Sequence, residues 1–308
     1  MENIHDNKIS GIGNAVCETV LPTVPLQPLK EIERSIQKKY RNELWSPFIR
    51  ALKEFELVEE GDRIAIAISG GKDSLAALLW VRNNMSKKFT TVFCDTGWES
   101  DLTYKYINEI DKKLNLDIVT LRSKKYSGFI DLAKKKKRFP SSQRRFCTSE
   151  LKSIPMIDYL LDEVNDDFIV IQGIRGAESA QRAVMNAQCN YFKYYLNPYK
   201  VDKNGNPKYY TYRRKEILAF CKKHATDVLR PVFDWSAQQV IDYILDNGLE
   251  PNPLYRMGMK RVGCFPCIMC SLSELHQIAT RFPERIAEIA EYEKKICSSF
   301  FGPDKISR

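Results

Sequence analysis

The sequence lacks any stretch near the roughly 18 uninterrupted apolar residues of a membrane-spanning helix, so no membrane partner is expected. Met1 to Gly13 is polar and has no apolar core, unlike a secretory signal, and the expected location is the cytoplasm. No internal repeat divides the chain. The nine cysteines are odd in number and unevenly spaced, with Cys264, Cys267 and Cys270 inside seven residues. In a reducing cytosol that clustering points to metal binding rather than to disulfides.

What remains is an ordinary globular composition. Of 308 residues, 44% are hydrophobic and 28% charged, enough for one large domain or a domain with an appendage. The net charge of +9 is concentrated. Between Arg122 and Lys152 there are eleven Lys or Arg and two acids, Asp131 and Glu150, an excess equal to the charge of the whole chain. Lys134, Lys135, Lys136, Lys137, Arg138, Arg144 and Arg145 form its densest part. Such a segment fits a polyanion, nucleic acid above all; the plainer alternative is a solvated helix-loop face.

Residues 1–55 read as an irregular, proline-bearing extension followed by a helix over 29–55, interrupted at Pro47. Glu60-Gly61-Asp62 reads as a turn. From there strands and helices alternate. Strands are expected at Arg63 to Ile68, Thr91 to Asp95, Asp117 to Leu121 and Phe168 to Gln172, with a fifth at Leu229 to Phe233. Helices are expected at Lys72 to Asn84, Leu102 to Leu114 and Ser149 to Leu161. This alternation predicts an α/β fold with a parallel sheet and right-handed crossovers. Asn190 to Tyr212, rich in Tyr, Lys and Asn, reads as a loop or small insertion. Beyond Trp235 the pattern is helical, at Ala237 to Asp246, Leu272 to Thr280 and Pro283 to Ile296. The expected division is 1–55 extension, 56–235 nucleotide-binding domain and 236–308 helical, cysteine-bearing region.

The strongest local signal is Ser69-Gly70-Gly71-Lys72-Asp73-Ser74 between the first strand and the first helix of the alternation. Glycines permit a sharp turn that brings backbone N–H groups and a helix N-terminus against an anion. Ser69 and Ser74 supply hydroxyls and Lys72 a positive charge, while Asp73 is placed to hold Mg²⁺ or cap the helix. The spacing is not that of a Walker loop. The plainer alternative is a glycine-rich strand-to-helix turn.

These six residues resemble the PP-loop of the adenine nucleotide α-hydrolases. The resemblance implies a Rossmann-like five-stranded parallel sheet, and cleavage of ATP to AMP and pyrophosphate. Further motifs resemble the phosphoadenosine phosphosulfate (PAPS) reductase branch. They are Asp95-Thr96-Gly97; Arg145-Phe146-Cys147-Thr148 with Leu151-Lys152; and Gly173-Ile174-Arg175 with Glu178, Ser179 and Arg182. Asp234-Trp235-Ser236, Asn252-Pro253-Leu254-Tyr255 and Arg261-Val262-Gly263-Cys264 follow in family order. Together they span about residues 55 to 275.

Arg175 and Arg182 suit forked hydrogen bonds to phosphate or sulfate, or surface ion pairs. Asp95 suits ribose, a metal or a helix cap. The resemblance adds Cys147 to Cys264, Cys267 and Cys270 as a fourth ligand. Four thiolates suit a [4Fe–4S] cluster or, alternatively, Zn²⁺, and the sulfur-handling relatives favour the cluster. Cys17, Cys94, Cys189, Cys221 and Cys297 read as single core or surface residues.

Two departures from the reductases shape the expected function. The loop is intact where many reductases have a degenerate one, and the C-terminus lacks their Glu-Cys-Gly-type nucleophile. The chain therefore looks more like the ATP-pyrophosphatase subunits of DNA phosphorothioation systems. That resemblance implies ATP, Mg²⁺, a sulfur donor such as a cysteine desulfurase, and a nucleic-acid acceptor, DNA ahead of tRNA. The alternatives are PAPS or adenylyl-sulfate reduction, and a non-catalytic nucleotide-binding module.

Overall fold

The computed structural model describes residues 63–85 and 88–302. The extension, the helix expected over 29–55 and the turn at 60–62 lie outside them. The described residues all belong to one compact unit.

Strand β1, Arg63–Ile68, begins the described chain, and its central residues are buried on both faces. Near-continuous burial is what a strand covered by helices on both sides requires. Helix α1 (Lys72–Asn84) follows, then β2 (Phe89–Cys94), α2 (Asp101–Leu114) and β3 (Val119–Leu121). Ser100 caps α2 by accepting the Leu102 N–H, and Asn115 ends it in the left-handed conformation. The basic segment contains a helix, α3 (Phe129–Lys136), which buries Phe129, Leu132 and Ala133 and leaves its lysines in the last turn. There they complement the negative end of the helix dipole.

A helical run, α4, continues through Phe146–Thr148, a π turn Ser149–Ser153, Ile154–Tyr159 and a second π turn Leu160–Val164. β4 (Phe168–Gln172) leads to a short helix α5 (Ala180–Ala183) and strand β5 (Gln188–Asn190). The Tyr-rich stretch is a small insertion: helix α6 (Lys193–Leu196) and a hairpin of β6 (Lys200–Val201) and β7 (Pro207–Lys208). Helix α7 (Arg214–Phe220) and β8 (Thr226–Leu229) complete the sheet. Helices α8 (Ala237–Asp246), α9 (Leu272–Arg281) and α10 (Pro283–Ile296) follow. Both α8 and α9 open on capping boxes, Ser236 with Gln239 and Ser271 with Glu274.

The sheet order is β3-β2-β1-β4-β8-β5. The first five strands are parallel, as expected, and β5 adds an antiparallel sixth at the edge. The strand expected at Leu229 to Phe233 lies earlier, at Thr226–Leu229. Pro231 has no N–H for a ladder, and the chain turns there, with Phe233 donating to the Arg230 carbonyl at 3.1 Å. Val232 is fully buried within the turn, so its apolar character marks packing, not pairing.

From β1 the chain winds outward through β2 and β3, then crosses back to β4 and β8 on the other side. The switch point therefore lies between β1 and β4, where open α/β sheets bind ligands beyond the strand carboxyl ends. The loop at 69–71 leaves β1 at that point, and Gly173 leaves β4 beside it.

A second core lies away from the sheet. Trp98, Phe129, Phe139, Leu275 and Phe300 are buried there, with Trp98 stacked on Phe129 at 5.4 Å. The Arg285 guanidinium sits 3.7 Å from the centroid of the Trp98 ring. Among the described residues no helix is long and apolar enough to cross a membrane.

Candidate active site

The loop is tightly built. Gly70 adopts φ +71°, and a Cβ there would lie 2.5 Å from Thr103 Cγ2. A Cβ on Gly173 would collide with the backbone of Asp73 and Ser74, so the end of β4 rests directly on the first turn of α1. The Ser74 hydroxyl turns back into the loop, donating to the Gly71 carbonyl at 2.9 Å and accepting the Ser69 N–H at 3.2 Å. Two residues from far along the chain clamp the turn. Asn252, wholly buried, donates to the Gly70 carbonyl at 3.2 Å, and the Tyr255 hydroxyl accepts the Lys72 N–H at 3.0 Å. The helix-start N–H groups of Asp73 and Ser74 have no intrahelical partner, which is the donor set an anion needs.

Asp73 does not cap the helix. Gly71 holds that position without a side-chain bond. Both Asp73 oxygens are engaged, one by the Lys72 amine at 3.0 Å and the other by a close ion pair to Arg175. All three side chains are nearly fully buried. Arg182 pairs closely with Glu178. Its pKa is lowered first by burial and then by repulsion from Arg261, Arg145 and Arg175, with Asp73 acting the other way. Five cations, Lys72, Arg145, Arg175, Arg182 and Arg261, thus outnumber the carboxylates Asp73 and Glu178 here. Such a surplus favours an anion with several oxygens. Arg261 was not among the residues singled out as a site; only its place one step before Val262-Gly263-Cys264 marked it.

After β2, Asp95 is buried and accepts from Tyr104 at 2.7 Å, from the Gly97 N–H at 2.8 Å and from Arg122 at 2.6 Å. Burial raises its pKa, but these hydrogen bonds outweigh burial and the carboxyl titrates below its ordinary value. Arg122, counted in the basic segment, is therefore committed to this loop. Thr96 is buried and faces inward, donating to Glu99 at 2.8 Å, with Cys264 Sγ 3.6 Å from its hydroxyl. A cavity of about 200 Å³ opens over the strand ends, lined by Ser69, Cys94, Glu99, Lys152, Gln172 and Tyr191 among others. Cys94 is thus a wall of this cavity as well as a core contact, and burial pushes its thiol up to about 11.

Cys147, Cys264, Cys267 and Cys270 gather in the second core. Cys264 pairs as a β-bridge with Glu99, and Phe265 N–H donates to the Trp98 carbonyl at 2.7 Å. Burial, then the charge of Cys267, raises the Cys147 pKa, while burial pushes Cys264 up to about 11 against the pull of Lys152. Lys152 has a raised pKa, caused first by Cys264, with Glu99, Cys94 and Cys267 adding to it. The π turn Ser149–Ser153 carries Lys152, which lines the strand-end cavity and interacts with the charges of Cys264, Cys94 and Cys267. Four gathered thiols offer the donor types that a zinc ion or a [4Fe–4S] cluster takes. Among the described residues no three of them lie within 4.8 Å of one another.

The basic residues Lys134 to Arg138, Arg144 and Arg145 are exposed. Several have local partners: Lys135 with Asp131, Lys136 with Glu150, and Lys134 and Arg138 over the Tyr292 and Phe146 rings. Arg145 alone of the seven reaches the arginine group around Arg182.

A doubly wound sheet with this glycine loop at its switch point is the architecture of the adenine nucleotide α-hydrolases. Residues 63–270 match the phosphoadenosine phosphosulfate reductase domain, and the chain belongs to that family. A 37.8 kDa protein of Escherichia phage 186 is 30% identical over 280 residues, covering 76% of this chain and 75% of the phage protein. Protein MJ0066 of Methanocaldococcus jannaschii is 28% identical over 72% of this chain, which spans only 39% of that longer protein. A tRNA-cytidine(32) 2-sulfurtransferase of Citrifermentans bemidjiense is 25% identical over 138 residues, 39% of this chain and 54% of the enzyme.

Proposed function

We propose that this protein is an ATP pyrophosphatase that adenylates a nucleic acid for sulfur transfer, with a DNA phosphate, giving a phosphorothioate, ahead of tRNA as acceptor. The observation that carries the reading is the intact Ser69 to Ser74 loop, backed at the switch point by a surplus of cations, of which Lys72 and Arg175 are buried. A nucleotide that keeps its β and γ phosphates explains both.

In this reading ATP lies in the strand-end cavity with its phosphates on the loop N–H groups, Lys72 and the arginines, together with Mg²⁺. An acceptor oxygen attacks the α-phosphorus, the bond to the β-phosphate oxygen breaks, and pyrophosphate leaves with its charge held by those cations. The terminal sulfur of a persulfide, supplied by a cysteine desulfurase, then displaces AMP, and a second thiol cleaves the S–S bond. Cys147, Cys264, Cys267 and Cys270 would hold a [4Fe–4S] cluster, whose chemistry is to bind or deliver sulfur. Lys152 places a positive charge beside those thiols, and Arg145 with the neighbouring lysines holds the nucleic-acid backbone.

The family match supports a second reading, reduction of PAPS or adenylyl-sulfate. The deciding assay incubates the protein anaerobically with ATP, Mg²⁺ and a sulfur donor, with DNA, with tRNA or with neither. Pyrophosphate and AMP release stimulated by nucleic acid, and abolished in Lys72→Ala, is the expected result. Sulfite from PAPS with thioredoxin would replace the proposal with reduction. ATP binding without pyrophosphate release under every condition would leave only a nucleotide-binding module.

A further inference from the structure

Residues 191–215 hold seven of the chain's fifteen tyrosines, together with seven Lys or Arg against the one acid, Asp202. The fold gathers them around a cleft of about 570 Å³ between α4 and the β6–β7 hairpin. Tyr191, Phe192 and Tyr195 pack into the sheet core. Tyr194, Tyr199 and Tyr210 do not: they are 39%, 41% and 46% exposed, yet their rings lie within 5.0 to 6.4 Å of one another. Lys193 and Lys200 stand over the Tyr194 and Tyr199 rings at 4.9 and 5.5 Å. The insertion is fixed in place, since Tyr212 and Arg213 both bond the buried Asp158 of α4, at 2.9 and 3.0 Å.

A bank of rings left partly open to water and edged by cations is poor core but a good platform for flat, anionic ligands. Stacking needs only a π-face, and the cations meet phosphates. The cleft is joined to the rest of the site at two points. Ser153 and Tyr191 line both it and the strand-end cavity. Arg145 lines it and belongs to the arginine group around Arg182.

We infer that this cleft takes an unstacked nucleobase of the acceptor, so that the protein acts on single-stranded or locally opened nucleic acid and not on a closed duplex. This rests on the nucleic-acid reading above and adds which form of strand is held and where. A base on Tyr199 and Tyr210 puts the adjoining phosphates between Arg145 and the hairpin lysines, beside the strand-end cavity.

The test is equilibrium binding of the full chain, without ATP, to fluorescent single-stranded DNA, single-stranded RNA and duplex DNA of one sequence. Single strands are expected to bind at least tenfold more tightly than the duplex. The paired change Tyr199→Ala, Tyr210→Ala is expected to weaken single-strand binding by about 10- to 100-fold, while Tyr199→Phe, Tyr210→Phe keeps it within about twofold, because phenylalanine still stacks. The DNA and RNA arms show which sugar the cleft accepts. Unchanged binding in the alanine pair at an unchanged melting temperature would overturn the inference, as would tighter binding of the duplex. Those results leave nucleic-acid-stimulated pyrophosphate release untouched. A wild-type chain that binds single strands through these tyrosines but never releases pyrophosphate would overturn the proposed function and leave the cleft standing.

Discussion

The hydroxyl of Tyr255 accepts the backbone N–H of Lys72 at 3.0 Å, across 183 residues of chain. A residue beyond the sheet thereby holds the first turn after the phosphate loop, and the ring also lies 5.3 Å from the Lys72 amine. Tyr255→Phe removes the acceptor and strands a partly buried donor. A loss of about 1–2 kcal/mol in urea unfolding is expected. Asn252→Ala frees the Gly70 carbonyl and the Leu254 N–H together, and a larger loss is expected.

Gly70→Ala meets two separate obstacles, the positive φ and Thr103 Cγ2 at 2.5 Å. Thr103→Ser removes that methyl but keeps the hydroxyl oxygen, which Asn252 approaches at 3.4 Å. Gly70→Ala alone should lower the thermal midpoint and ATP affinity. The double variant should recover the steric part only, leaving about 1 kcal/mol of backbone cost. Gly173→Ala faces backbone atoms instead, so no side-chain change should rescue it.

Asp73 sits between Lys72 and Arg175 with all three side chains nearly buried. Neutralising it leaves two cations without their shared partner, and Asp73→Asn should cost about 3 kcal/mol. Pyrophosphate can replace the missing charge. A thermal-shift titration should show pyrophosphate raising the midpoint of Asp73→Asn by more than that of the wild type.

Asp95 has a lowered folded-state pKa, the burial cost being outweighed by Tyr104, Gly97 and Arg122. Its stabilising contribution is therefore fully present above the unfolded carboxyl pKa of about 3.9 and is lost as pH falls through the folded value. Asp95→Asn should be less stable than wild type at pH 7, and the gap should narrow below about pH 4. Urea midpoints at pH 7, 5 and 3.5 read this directly; a gap independent of pH would mean that the charge of Asp95 is not what matters.

Purified without oxygen, the protein is expected to carry about four iron and four sulfide per chain, with a broad visible absorption. Cys147→Ser should lose most of the iron although residue 147 lies far in sequence from the other three thiols. One zinc per chain and no iron would decide for the alternative metal.

β1 and α1 lie where the apolar run and the glycine loop put them, because a buried parallel strand and a helix-opening turn each leave a local pattern. β5 left none: its three residues, Gln188–Asn190, are polar in part and gain their place only by pairing with β8. The fifth strand was displaced because apolar Val232 is buried in a turn after Pro231. In the site, the loop, Arg175 and the cysteines were readable as ordered motifs. Glu99 and the placing of Lys152 were not, since their roles come from a β-bridge and a π turn, and Arg261 matters only through its nearness to Arg182 in the fold. The seven tyrosines of the insertion were visible as composition, but which of them stay open to water depends on the hairpin packing against α4.

Trp98 donates its indole N–H to the Pro266 carbonyl at 3.1 Å, and its own carbonyl receives the Phe265 N–H, next to the bridge between Glu99 and Cys264. The same short loop carries Asp95 to Glu99 on one side and faces the thiols on the other. The part that carries the glycine loop and the part that carries the cysteines are therefore not interchangeable. A fragment ending before residue 264 would expose the Trp98 ring and leave Glu99 without its strand partner, so evolution or design could not graft the glycine loop and its strand-end cavity elsewhere without taking the cysteine loop with it.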